Sequence, residues 1–300
     1  MIVDRSERGK LALTGAEAKE FLHGQVTNDI EGLEPGQGCY AAFLTPKGKM
    51  LGDLRVLDVG DELLLDTERV ALQELFNMIR RYKLGSDVEL HKRTLETALL
   101  SVIGPDARRV VGAEDLPETE HANRKATLAG HPVVLVATDL GVDVFCAAEH
   151  AADVRAAMDA EPADEADAEV LRVERGRPRY GVDLDDTVIP QEAGLNERAV
   201  SFEKGCYVGQ ETVARLYYRG KPNRHLRGLR LSAPAERGAP LKLGEREVGR
   251  LGSVVESPRL GPIALAIVRR EAEPGTTLTV GENGLTAEVV ELPFEGVQSR

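Results

Sequence analysis

Lys204-Gly205-Cys206-Tyr207-Val208-Gly209-Gln210-Glu211 places one thiol between a lysine and an aromatic ring, with glycines inside the cluster. Glycine lets a backbone approach a ligand closely. The lysine, with Arg215 and Arg219 following on a helical turn predicted over 210–217, can lower a thiol pKa and hold an anion. A core helix needs no such combination. Just beyond it the chain changes character. From about residue 223, short β-type runs at 226–231, 247–256, 263–268, 276–280 and 285–292 alternate with Gly and Pro turns, without helical periodicity. That pattern predicts a small antiparallel β-barrel.

Upstream, helices and strands mix. Thr14-x-x-Glu17 reads as a capping box opening a short helix through Ala18, Phe21 and Leu22. Gly60-Asp61 separates apolar runs at 54–59 and 62–66, a hairpin signal. Leu72, Leu75, Phe76 and Ile79 recur at helical spacing. Strand-like runs follow at 98–103, 132–137 and 142–147, then an Ala-rich helical pattern up to Met158. The acidic stretch 161–169 reads as a solvated linker into a helix through Val170, Leu171 and Val173. The Gly-, Pro- and Asp-rich stretch 176–202 reads as a binding loop. Irregular alternation with hairpins and no glycine fingerprint favours an α+β fold over a doubly wound sheet. The expected division is residues 1–222, as two interleaved α+β subdomains, and 223–300 as the barrel.

Composition excludes several classes. The 300 residues carry a net charge of -12, which opposes non-specific nucleic-acid binding. Arg172, Arg175, Arg177 and Arg179 form a local basic exception. The opening Met1-Ile2-Val3-Asp4-Arg5 has no apolar signal core, and no run is long enough to span a membrane, so a cytoplasmic protein without membrane partners is expected. Cys39, Cys146 and Cys206 have no CxxC or Cys/His spacing, so no metal or cluster held by this chain alone is expected. Cys39 and Cys146 lie in apolar runs and read as core residues. The histidines at 23, 91, 121, 131, 150 and 225 read as structural or surface groups, His23 least clearly so.

The Lys204–Glu211 run resembles the K-G-C-[FY]-x-G-Q-E signature of the YgfZ-type folate-binding proteins, relatives of the glycine-cleavage T-protein, an aminomethyltransferase. Three further segments extend the resemblance along nearly the whole chain. Phe21-Leu22-His23-Gly24-Gln25-Val26-Thr27-Asn28-Asp29 is similar to F-L-x-G-Q-x-T-N-D. Leu171-Arg172-Val173-Glu174-Arg175-Gly176 is similar to R-[LIV]-E-x-G, and Pro190-Gln191-Glu192-Ala193 to P-x-E-A. The resemblance implies a folate-binding region with ferredoxin-like subdomains, followed by a C-terminal antiparallel β-barrel.

It also implies roles. A pterin presents N3–H and a 2-amino group side by side, which one carboxylate can accept together. The resemblance gives that part to Glu174. Spacing alone would pair Glu174 with neighbouring arginines on an exposed helix face. Arg175 or Arg177 would hold the anionic folate tail. Lys204, Tyr207, Gln210 and Glu211 join the cofactor-binding set, with Tyr207 expected mainly to pack. Pro46–Leu54 resembles the segment carrying two adjacent aspartates of the transferase. Here Asp53 keeps one of them, and Gly52 stands where the other would be. By sequence alone Asp53 is as readily an ordinary acid beside a strand. Cys206 is left open between a thiolate nucleophile, a transient sulfur or cluster contact, and a partner of the one-carbon unit. The implied function is binding of tetrahydrofolate or a one-carbon-substituted folate in support of iron–sulfur cluster assembly or repair, with client proteins or assembly factors as partners. The alternative is a folate-dependent aminomethyltransferase of the glycine-cleavage type.

Overall fold

The computed structural model describes residues 1–282 and 284–294. The strands are β1 (Ile2–Asp4), β2 (Gly9–Thr14), β3 (Gly38–Leu44), β4 (Met50–Asp58), β5 (Leu63–Thr67), β6 (Glu89–Lys92), β7 (Thr97–Ile103), β8 (Asn123–Leu128), β9 (His131–Ala137), β10 (Gly141–Ala147), β11 (Pro162–Ala163), β12 (Arg224–Leu231), β13 (Pro240–Leu243), β14 (Arg246–Ser257), β15 (Gly261–Arg269), β16 (Thr277–Val280) and β17 (Leu285–Val290). The α-helices are α1 (Ala18–His23), α2 (Leu72–Tyr82), α3 (Ala107–Val110), α4 (Ala151–Ala156), α5 (Glu165–Glu174), α6 (Asn196–Ala199) and α7 (Gln210–Arg219). Two compact units interleave along the chain. The first holds Met1–Pro46, Leu51–Ala168 and Arg198–Gln210; the second holds Lys47–Met50, Glu169–Glu197 and the chain from Glu211.

The first unit contains two sheets, ordered β11-β1-β7-β10-β9-β8 and β3-β4-β5-β2-β6. Both faces of β7 and β10 are apolar, and each face has its own partner. Leu100, Val102, Val142 and Val144 pack with Val154 of α4 and Ala107 of α3. Leu99 and Phe145 face the other way, with Val136, onto Leu57 and Leu64 of the second sheet. The strand period of two thus divides each strand between two cores. Gly60 takes φ 97° in the predicted hairpin between β4 and β5. The amphipathic helix α2 buries Leu75 and Ile79.

Two local expectations differ. The Thr14–Glu17 box does not cap α1: Thr14 Oγ1 lies 2.8 Å from His91 Nε2, and Glu17 Oε2 accepts from the Asp87 amide at 2.7 Å. Tertiary partners outcompete the local cap. Nor is the acidic stretch after residue 160 a free linker. Pro162 and Ala163 pair in parallel with Ile2 and Val3, and helix α5 already begins at Glu165.

In the second unit, β12-β15-β14-β13-β16-β17 closes into a six-stranded antiparallel barrel. Its interior takes alternate residues, among them Leu229, Leu231, Ala264, Ala266, Val268, Leu278, Val280, Ala287 and Val289. Small alanines on β15 suit the narrow interior. The intervening Ile263 and Leu265 point outward and pack with Val173 of α5, Leu226 and Phe294. Burial on both faces explains the unbroken apolar run of β15. A register shift between Leu251 and Val254 bends the long β14.

Candidate functional site

In the first unit the paired strands β3 and β4 bring Tyr40 to Asp53. Asp53 is 5% exposed, and the Tyr40 phenol donates to its Oδ2 at 2.7 Å. Burial pushes the Asp53 carboxyl up to about 6; the Tyr40 hydrogen bond opposes this, and the Glu68 charge adds to it. Burial and the Asp53 charge hold the Tyr40 phenol well above its ordinary range. A carboxyl that changes protonation near neutrality, with a phenol fixed upon it, is equipped to exchange a proton. Gly52, the preceding residue of β4, faces the other side of the strand. A Cβ there would sit 2.5 Å from Phe43 Cζ and 2.6 Å from Ala71 Cβ, so a second acid has no room.

The N-terminal motif ties this strand pair to the segment before α7. Thr27 Oγ1 donates to Ala199 O at 2.5 Å and accepts from the Ala42 amide at 2.8 Å. Asn28 Nδ2 donates to Tyr40 O at 2.8 Å and to Arg198 O at 3.3 Å. The Arg198 guanidinium, itself bonded to Glu120, lies 5.0 Å from the Tyr40 ring centroid. Lys204 Nζ donates to the carbonyls of His23 and Val26. These contacts let Thr27 and Asn28 tie residues 198–199 to β3, while Lys204 ties its own segment to the turn after α1.

That arrangement changes the reading of the cysteine run. The Lys204 ammonium is bonded to backbone carbonyls at the end of α1, with its Nζ 5.0 Å from the Tyr207 ring, so it serves the turn after α1 rather than standing as a free cation. Burial lowers Lys204 to about 8, against the charge of Asp29. Tyr207 is buried, which pushes its phenol up to about 12. Cys146 is buried and Cys39 half-buried, and burial lifts the Cys39 thiol to about 12. Cys206 alone of the three cysteines is exposed. Gln210 opens α7 half-buried, and Glu211 follows it exposed. Among the described residues no three His, Cys, Asp or Glu side chains gather to hold a metal ion.

In the second unit the R-x-E-x-G segment is a helix terminus. The Gly176 amide donates to Val173 O at 2.8 Å and the Arg177 amide to Arg172 O at 3.1 Å, the paired bonds of a Schellman cap, with Gly176 at φ 66°. This cap fixes Glu174 in the last turn of α5. Glu174 is 7% exposed, so it does not lie on an exposed helix face. Its partners come from the barrel: Ser257 Oγ donates at 2.5 Å to Oε1 and Arg259 Nη2 at 2.9 Å to Oε2. A carboxylate offers about four lone-pair positions, so each oxygen can still accept a ligand N–H. Arg172 instead serves the fold, bonding Glu169, Asp183 and Ser253. Arg175 and Arg177 are half-buried beyond it. Glu192 of P-x-E-A is buried too, clasped by Arg224 at 3.0 and 2.8 Å, and its carbonyl accepts from the Leu226 amide.

Tyr40, Arg198, Ser257 and Arg259 were not singled out from the sequence. Tyr40 did leave a signal, a phenol inside an apolar strand that must find a partner when buried. The others left none, since their partners are distant in sequence.

Residues 1–204 match the GCVT N-terminal domain and residues 224–295 the glycine cleavage T-protein C-terminal barrel domain. The chain belongs to the glycine cleavage T-protein family. Its relatives include "Putative transferase At1g60990, chloroplastic" of Arabidopsis thaliana, 30% identical over 98% of this chain and 71% of the relative. An aminomethyltransferase of Thermotoga petrophila is 32% identical, covering 97% of this chain and 85% of the relative. The crystal structure of the glycine cleavage system aminomethyltransferase T from Bartonella henselae shares the fold, with a TM-score of 0.85 at 24% identity over 98% of this chain and 85% of that one. In this T-protein family member the described residues contain no helix long and apolar enough to cross a membrane.

Proposed function

We propose that this T-protein family member binds tetrahydrofolate, or a one-carbon-substituted folate, and acts in one-carbon transfer of the aminomethyltransferase type. The observation that carries the reading is Asp53, a buried carboxyl near pH 6 with Tyr40 fixed on it. Folate would supply the nitrogen that carries the one-carbon unit. Asp53 would hold or release a proton, and Tyr40 would orient the carboxyl. Glu174, braced by Ser257 and Arg259, is assigned the pterin N–H pair, and Arg175 or Arg177 the anionic tail. Lys204, Tyr207, Gln210 and Glu211 are kept in the binding set. Anaerobic calorimetry with tetrahydrofolate on wild type and Glu174→Ala tests the anchor, and we expect binding to be lost in the variant. Formation of methylene-tetrahydrofolate and ammonia from an aminomethyl-lipoyl protein tests the transfer, which Asp53→Asn should remove. Absence of product with intact folate binding would eliminate the transferase reading and leave the binding one.

A second reading has its own observation. Cys206 is the exposed thiol of the K-G-C-Y-V-G-Q-E run, and aminomethyl transfer gives it no task. We propose for it a role of the YgfZ type, in which the folate-bound protein supports iron–sulfur cluster assembly or repair in client enzymes. Cys206→Ala should then lower iron–sulfur enzyme activity in the host without changing folate affinity. Full activity of every such enzyme would remove this reading.

A further inference from the structure

Helix α7 carries an outward face that neither proposed reading employs. Val213 is its buried side. Arg215, Tyr218 and Arg219 stand at i, i+3 and i+4 on the opposite side, and all three are exposed. Lys221 continues the exposed cationic run past Gly220. Tyr218 is 66% and Tyr217 49% exposed, and their rings meet edge to face with centroids 5.0 Å apart. Two phenols at the surface, locked together, leave apolar area in water beside fixed positive charge.

On this acidic molecule many arginines are matched: Arg5, Arg8, Arg55, Arg93, Arg172 and Arg224 each have a carboxylate partner. Arg215, Arg219 and Lys221 have no ion-pair or hydrogen-bond partner among the described residues. Glu211, one turn before Arg215, is exposed and does not bond it.

We infer that the Arg215–Tyr218–Arg219 face of α7, with Tyr217 and Lys221, docks an acidic protein surface that carries exposed apolar side chains. Tyrosine and arginine are, with tryptophan, enriched at the energetic centres of protein interfaces. Tyrosine gives large contact area for little lost side-chain freedom. A net charge of -12 repels nucleic acid and anionic membrane over the wider surface, so a short cationic strip favours a compact acidic partner. Ten residues of helix span about 15 Å, which is less than a permanent interface needs, so the contact is transient and salt-sensitive.

The test is fluorescence anisotropy of the full-length protein with a fluorescein-labelled amphipathic peptide of Glu and Leu, with oligothymidylate and phosphatidylglycerol vesicles as competitors. Binding of the peptide should weaken with salt. It should fall by about tenfold or more, roughly 1.4 kcal/mol, in Arg215→Glu/Arg219→Glu, and by a smaller factor in Tyr218→Ser. Thermal midpoints of the variants should match the wild type, and Arg215→Gln/Arg219→Gln replaces the reversal if it does not fold. No peptide binding, or equal binding by the charge-altered protein, overturns the inference. Displacement of the peptide by oligothymidylate or vesicles at matching charge concentration also overturns it, because the face would then be a general anion surface.

Discussion

Asp53 and Gly52 are neighbours under opposite constraints. The carboxyl of Asp53 is raised by burial to about 6, above its ordinary value near 4. A raised acid binds its proton more tightly in the folded state. Asp53 therefore favours folding at low pH, and that contribution is lost as pH rises from about 4 to about 6. At neutrality the ionised carboxylate costs about 3 kcal/mol, reckoned at 1.36 kcal/mol per pKa unit. Asp53→Asn should raise the thermal midpoint at pH 7, with the gain shrinking toward pH 4, as melts across that range would show. An equal gain at both ends would mean that the charge is not its source. Tyr40→Phe removes the bond that favours the ionised form, so the Asp53 titration should move above 6, read as a shift of that stability step to higher pH. A gain in stability from losing the carboxylate would fit a group kept for chemistry. Gly52→Ala should instead destabilise by about 1–3 kcal/mol, because its Cβ would overlap Phe43 and Ala71. Equilibrium denaturation would check that loss.

Segments whose signal is local were readable as elements. The 54–66 hairpin depends on a glycine at positive φ, α2 on helical periodicity, and the barrel on period-two runs between turns, and all three are present. The strand β13 escaped notice because Pro240–Leu243 is short and begins with proline. The Thr14–Glu17 box failed because both side chains found partners far along the chain. The motifs around the candidate site show the same limit. R-x-E-x-G proves to be a Schellman cap that aims Glu174, yet the braces Ser257 and Arg259 lie more than eighty positions later. P-x-E-A is likewise a clasp on the first barrel strand through Glu192 and Arg224. Glu192→Ala leaves Arg224 and the Ile189 amide without that carboxylate, with an expected loss of about 3 kcal/mol. Chemical denaturation should show it, and Glu192→Gln, which keeps the acceptor and drops the charge, should recover part of the loss.

Within the first unit the two sheets are joined by charge as well as by apolar packing. Arg55 on β4 bonds Asp66 on β5 at 2.7 Å and Asp143 on β10 at 2.6 Å, and Ser101 on β7 donates to Asp143 at 2.6 Å. Arg8 grips Asp66 from the other side at 2.9 Å. No spacing rule joins residues 8, 55, 66, 101 and 143, so this network was not legible in the sequence. It follows only once strand order sets the two sheets face to face. The two guanidinium groups overcome burial and hold the Asp66 carboxyl well below its ordinary range. A depressed acid contributes stability that is present above its ordinary value near 4 and is lost as pH falls below it toward the folded-state value. Arg55→Leu would leave Asp143 without its guanidinium and Asp66 with Arg8 alone, with an expected loss of about 3–5 kcal/mol at pH 7. In urea titrations the gap between variant and wild type should narrow as pH falls below about 4, because protonation of Asp66 then relieves its buried charge. Arg55 also lies over Phe145, its Cζ 5.8 Å from the ring centroid, so lost packing could mimic the effect. Asp143→Asn leaves that packing in place while removing the charge that Arg55 meets on β10. It should destabilise at pH 7, whereas a gap in Arg55→Leu that persists in acid would assign the role of Arg55 to packing.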